Sequence, residues 1–181
     1  LSYNIHGCRG ADRKTDLQRI RDIIAETEAD LVALQEVDGE SRVVHSRGQS
    51  AIIAEQLNME GVEFPVEETG RHRYGLAVLS RYRFAEARFI RLPNLYSRLK
   101  PRKRGAILAT LESTWGPIRL INTHLSVFKM ERRRQLAALL THCPVAAASG
   151  DPPLILCGDL NAGPSSHTYR TLLQHMTDTR Q

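Results

Sequence analysis

Short uninterrupted apolar runs, more than long alternations, set the pattern of this chain. Residues 31–34 (LVAL) and 154–157 (LILC) are each bounded by polar or breaker residues, as expected for strands buried on both faces. Residues 1–5 alternate and end in Asn4, His6 and Gly7. Thr15 and Gln18 then form a capping-box pattern, and Leu17, Ile20, Ile24 and Ala25 a helical stripe to about residue 28. Strand, capped helix, strand predicts a β-α-β unit with parallel neighbouring strands. If those strands pair, Asn4 and Glu36 emerge on one rim.

After a polar loop over 37–47, Ser50 is placed to cap a short helix over 51–57. Strands are expected over 62–66, 74–80, 84–92, 105–112 and 118–125, the last two joined by a turn containing Trp115 and Gly116. Residues 130–140 read as a helix with Arg132, Arg133 and Arg134 outside and Leu136, Leu139 and Leu140 inside. Following a loop at 144–153, the apolar run 154–157 leads into Gly158, Asp159, Leu160 and Asn161, then the breakers Gly163 and Pro164. Ser165 or Ser166 caps a last helix to about residue 175. There is no internal repeat or linker. The order predicts an α/β fold of two mixed sheets packed face to face, with helices outside.

A length of 181 residues fits one domain with a substantial core. No apolar run approaches the ~18 residues of a membrane span. Cys8, Cys143 and Cys157 are widely spaced and odd in number, without metal-type spacing. They suggest reduced thiols of a cytoplasmic protein, Cys157 being core.

The net charge of +5 is unevenly distributed. Residues 1–70 hold fourteen acids and seven Lys or Arg, whereas residues 71–104 hold eleven Lys or Arg and the single acid Glu86. Such a block suits a polyanionic partner, nucleic acid or anionic lipid, or else is a solvated face protecting edge strands. Lys100, Arg102, Lys103 and Arg104 are its best candidates for contact, because Pro101 places them in a loop.

Four strand ends carry polar groups: Asn4, Glu36, the Asn122-Thr123-His124 triplet, and Asp159 with Asn161. In layered α/β proteins ligands gather at such ends. Each also has a structural explanation, an Asx turn for Asp159 and Asn161 among them. One carboxylate with amide neighbours is the hard-oxygen environment that Mg²⁺ accepts. A His with an Asp/Asn pair can hold a phosphoryl oxygen and orient water.

These residues resemble a family. SYNIHG (2–7), LQEV (34–37), YGLAVLSR (74–81), NTHL (122–125) and GDLNAGP (158–164) are similar, in order, to the motifs of the endonuclease/exonuclease/phosphatase superfamily of Mg²⁺-dependent phosphodiesterases. The Asn-Ile-His opening is closest to a bacterial branch. The resemblance implies a DNase I-like four-layer sandwich over residues 1–181, lacking its first residues and closing strands. It implies Mg²⁺, with Mn²⁺ as an alternative, bound by Glu36 with Asn4 in support. His124 would contact the scissile phosphate, Asp159 would orient or deprotonate water, and Asn161 would fix phosphate and nucleophile. Some abasic-site nucleases have an acid where this chain has His6. The family's late Asp-His pair has no counterpart after Asp159, so the chain by itself is expected to be inactive. The expected function is hydrolysis of a phosphodiester or phosphomonoester, with a nuclease placed ahead of a lipid or inositol-phosphate phosphoesterase. A non-catalytic polyanion-binding module is the alternative from another class.

Overall fold

A computed structural model describes residues 1–38, 48–69, 72–95, 103–142 and 150–179. Within them, eight strands and four α-helices follow in the order β1 (Ser2–Asn4), α1 (Leu17–Glu26), β2 (Leu31–Asp38), α2 (Gln49–Gln56), β3 (Glu60–Thr69), β4 (His72–Ser80), β5 (Arg83–Leu92), β6 (Arg104–Ser113), β7 (Gly116–His124), α3 (Lys129–His142), β8 (Leu154–Asp159) and α4 (His167–Leu173). A short 3₁₀ turn, His6–Cys8, follows β1. The first sheet has the order β1-β2-β4-β3 and the second β5-β6-β7-β8. The pairs β1–β2 and β7–β8 are parallel and the remaining pairs antiparallel.

Three apolar clusters make four layers of these elements. Ile20 and Ile24 of α1 and Ile53 of α2 pack on Val32, Leu34 and Val37 at the outer face of the first sheet. Leu76 and Val78 meet Ile107, Ala109, Leu111 and Leu120 between the sheets. Leu139 of α3 covers Ile90, Ala106 and Ile121 on the outer face of the second. With both faces of the inner strands covered, their sequences read as apolar runs.

Polar groups also cross the gap between sheets. Gln35 Nε2 donates to Asn122 Oδ1 at 2.7 Å, and Asn122 Nδ2 donates to the carbonyls of Leu34 and Ala77, each at 2.8 Å. Both side chains are buried. In a low-dielectric interior these bonds hold because leaving any of the groups unpaired costs more than each bond contributes.

Several local expectations are corrected. The cap of α1 is Asp16, whose Oδ1 accepts from Arg19 N at 3.0 Å; Thr15 instead bridges to Arg9. Gly48 begins α2, and Ser50 lies buried inside it, hydrogen-bonded to Glu63. Arg132 is buried, because its Nη1 donates to the carbonyls of Ser126 and Val127. Leu140 is half-buried, while Leu136 and Leu139 are buried. The cap expected for the last helix is borne out at Ser166, which accepts from Tyr169 N at the start of α4. The β2 strand runs on to Asp38, with Val37 buried in it. Cys8 and Cys157 are free thiols, and burial pushes them up to about 11 and about 12; Cys143 lies outside the described residues.

Replacing Asn122 by Leu keeps the branching of the side chain and removes the hydrogen bonds across the gap. The Asn122→Leu variant is expected to lose about 2–4 kcal/mol of stability in urea unfolding. A loss below about 0.5 kcal/mol, the range of a neutral surface change, would show that the buried amide contributes packing only.

Candidate functional site

A bulge in β2 sets the first acid. Gln35 pairs with Leu76 and Val37 with Gly75, which leaves Glu36 as an extra residue with φ of 54°. Strict alternation would drive the residue after Gln35 into the helix-covered core beside Val32 and Leu34. The inserted residue lets Val37 take that place and leaves Glu36 on the rim. The parallel register Asn4↔Gln35 brings Asn4 beside it.

The second acid comes from the other sheet. The parallel register His124↔Asp159 places these residues side by side. Gly158, with φ of 136°, permits this approach: a Cβ there would lie 2.0 Å from the Thr123 carbonyl oxygen. Asp159 Oδ1 accepts from Asn161 N at 3.0 Å, so the Asx turn is present. Its other oxygen turns to the rim.

There the two sheets meet. Asn4 Nδ2 donates to Asp159 Oδ2 at 3.0 Å and to Glu36 Oε1 at 3.3 Å. His124 Nε2 is 3.5 Å from Asp159 Oδ2 and 3.9 Å from Glu36 Oε1. Arg104 Nη1 lies 3.1 Å from His124 Nδ1. A guanidinium only donates, so Nδ1 accepts and the ring proton sits on Nε2, facing the acids. Asn161 Nδ2 donates to the Leu125 carbonyl at 2.9 Å, and Leu125 N donates to the Asp159 carbonyl at 2.9 Å.

His6 completes the rim, and its part was not legible in the sequence. Its Nδ1 is 3.0 Å from Glu36 Oε2, and its N–H donates to Asn4 Oδ1 at 3.1 Å. His6, Gly7 and Cys8 all have positive φ, a left-handed turn closed by the buried Ile5 and Cys8. The sequence signal was the Asn-Ile-His-Gly run itself.

Both carboxyls are held below the usual range. Partial burial pushes Glu36 up, but hydrogen bonds from Asn4 and His6, with the nearby His124, outweigh it. Burial likewise pushes Asp159 up, and the bonds from Asn4 and Asn161 N, with His124 and Arg104 nearby, bring it down. Two anions therefore stand close together among donors.

An open cleft leads away from them, lined by Glu36, Val66, Tyr74, Gly75, Leu76, Lys103, Arg104, Gly105 and His124. Lys103 and Arg104 are thus at the site, while Lys100 and Arg102 lie outside the described residues. The basic block is otherwise divided. Arg83 pairs in register with Glu112, at the far end of β6 from Arg104, and Arg81 lies 3.9 Å from Asp30.

Among the described residues, no three His, Cys, Asp or Glu side chains cluster closely enough to hold a metal by themselves. The donor set still fits Mg²⁺, which takes one or two carboxylates and keeps several waters. Each Glu36 oxygen accepts one hydrogen bond and retains a further lone pair. Among the described residues, no helix is long and apolar enough to cross a membrane.

No curated protein matches the chain. Among solved structures, an endonuclease/exonuclease/phosphatase from Beutenbergia cavernae DSM 12333 is similar with a TM-score of 0.74 and 24% identity, over 91% of this chain and 47% of that one. The human Nocturnin catalytic domain with bound sulfate anion gives 0.69 and 24%, over 93% and 65%. ANGEL2, a 2′,3′-cyclic phosphatase, gives 0.67 and 22%, over 86% and 46%. At these identities the likeness is one of fold, the DNase I-like sandwich, and the chain spans about half to two-thirds of each of these chains. The model of the Endonuclease/Exonuclease/phosphatase family matches residues 1–179, and the chain belongs to that family.

Proposed function

We propose that this rim is the catalytic centre of a divalent-metal-dependent phosphoester hydrolase. The observation that carries the reading is the convergence of Glu36 and Asp159, from different sheets, on one amide (Asn4) and one imidazole (His124). Glu36 would hold Mg²⁺, with Mn²⁺ as an alternative, and Asn4 and His6 would fix the carboxylate's direction. When bound, the metal would offset charge on the phosphate and on the leaving oxygen. Membership of the Endonuclease/Exonuclease/phosphatase family supports the reaction class, and ANGEL2, which shares the fold, is a 2′,3′-cyclic phosphatase.

The chain's own residues divide the remaining work. Asp159, tied to Asn4 and Asn161, would accept a hydrogen bond from the attacking water and take its proton as the oxygen–phosphorus bond forms and the ester bond breaks. Its low carboxyl pKa makes it a weak base that stays ionised, which suits orientation more than proton storage. His124 would donate from Nε2 to a phosphoryl oxygen, its ring fixed by Arg104. Asn161 would hold the turn that aims Asp159. Lys103 and Arg104, with Lys100 and Arg102 nearby in sequence, would receive the rest of a polyanionic substrate. Nucleic acid and anionic lipid both meet that requirement.

Glu36→Gln preserves shape and removes the charge. In the full-length protein it is expected to remove most, though not all, Mg²⁺-dependent turnover while the melting temperature stays near that of the wild type. Near-normal activity would sink the assignment.

The cationic group is tested by salt. Changing Lys100, Arg102, Lys103 and Arg104 together to Ala should weaken binding with little regard to sequence or head group. On duplex DNA the log–log salt slope should fall by roughly 0.9 for each phosphate that is no longer neutralised. An unchanged slope on DNA, together with unchanged affinity for anionic vesicles, would make the group an ordinary solvated face.

A further inference from the structure

Beyond His124 the chain enters a turn that buried polar groups hold in place. Ser126 N donates to Gln135 Oε1 at 2.8 Å, and Phe128 N to Ser126 Oγ at 3.1 Å. Arg132 Nη1 donates to the carbonyls of Ser126 at 2.9 Å and Val127 at 3.1 Å. From the segment after β5, Leu95 N donates to Glu131 Oε1 at 2.8 Å, and Gln135 Nε2 donates to the Pro93 carbonyl at 3.0 Å. Glu131, Arg132 and Gln135 are all buried, so water does not compete for these bonds.

What this clamp presents outward is apolar. Val127 is 60% exposed, Met130 55%, Phe128 40% and Leu95 38%. Single exposed apolar side chains are ordinary. Four on two adjoining segments, pinned by shielded polar groups, mark an interaction surface.

Charge selects the partner. Helix α3 contains Lys129, Arg132, Arg133 and Arg134, with Glu131 as its one acid. With Glu131 and Arg132 turned inward, the exposed charges at this end are Lys129, Arg133 and Arg134. Arg133 and Arg134 follow Met130 by three and four residues and share its helix face. Aliphatic side chains flanked by cations suit an anionic lipid interface, where the former enter the acyl boundary and the latter meet head-group phosphates. A single-stranded nucleic acid stacks successive bases on aromatic faces, and of the four side chains only Phe128 offers one.

We propose that the turn at residues 126–128, the start of α3 and Leu95 form a platform that seats the protein on an anionic lipid surface. His124 lies two residues before Ser126, so docking would bring the rim to the level of head-group phosphoesters. The proposal rests on the phosphoester reading and narrows its substrate class to esters carried by a lipid surface.

Co-sedimentation tests it, with full-length protein and phosphatidylcholine vesicles made with and without phosphatidylserine. Binding is measured in the Glu36→Gln background, so that capture is read apart from turnover and the two readings fail separately. Binding is expected on the phosphatidylserine vesicles, and Val127→Ser with Met130→Ser should weaken it about tenfold or more. Trp115→Ser is the control: Trp115 is 82% exposed and precedes the opposite end of β7. Equal binding by the double variant and its parent would overturn the platform. So would a loss confined to single-stranded DNA or RNA. A lower melting temperature or altered oligomeric mass in the double variant would show that protein covers the patch, and would overturn it as well.

Discussion

The hydrogen bond between Gln35 and Asn122 is the constraint on which the site depends. It crosses from one sheet to the other inside the apolar gap, where neither amide has water to fall back on. Glu36 is the next residue after Gln35, and His124 lies two beyond Asn122. Fixing the amide pair therefore fixes the relative position of two rim residues that belong to different sheets. Apolar packing between the sheets supplies most of the attraction, but it is tolerant of small slides. The amides, which also engage the Leu34 and Ala77 carbonyls, are not.

That registration has an electrostatic consequence. Two carboxylates brought together repel, and one of them would ordinarily keep a proton. Here the donors of Asn4, His6 and Asn161, with His124 and Arg104 nearby, hold both carboxyls below their usual range. In the proposed reading, a cation or a phosphoryl group would join this arrangement. Arg104 has two parts in this, since it lines the cleft and also fixes the ring of His124. A basic residue read from the sequence as a substrate contact is thus also a positioning residue.

Much of this was legible in the sequence because burial leaves a direct imprint. The apolar runs at 31–34 and 154–157 located the parallel strands, and the β-α-β order put Asn4 beside Glu36. The order of elements gave the two-sheet sandwich. What escaped were choices that polar groups make among near-equivalent partners. Asp16 took the cap in place of Thr15, Ser50 bonded Glu63 from inside α2, and Arg132 folded under a turn in place of facing solvent. The bulge at Glu36 left no composition signal, since it shifts one residue without changing the run around it. His6 was visible as a residue but not as a partner of Glu36, because a left-handed turn decides where its ring points.

In the proposed mechanism, residues from both sheets act as one catalytic unit. A double-mutant cycle on kcat/KM, with Glu36→Gln, Asp159→Asn and the pair in the full-length protein, tests it most directly. Groups that act together lose most of their effect when the first is removed. The expected result is that the double variant is little worse than the more damaged single one, Asp159→Asn alone lowering kcat about 10²–10⁴-fold with little change in KM. Full multiplication of the two single effects, or an Asp159→Asn effect confined to KM, would contradict the account.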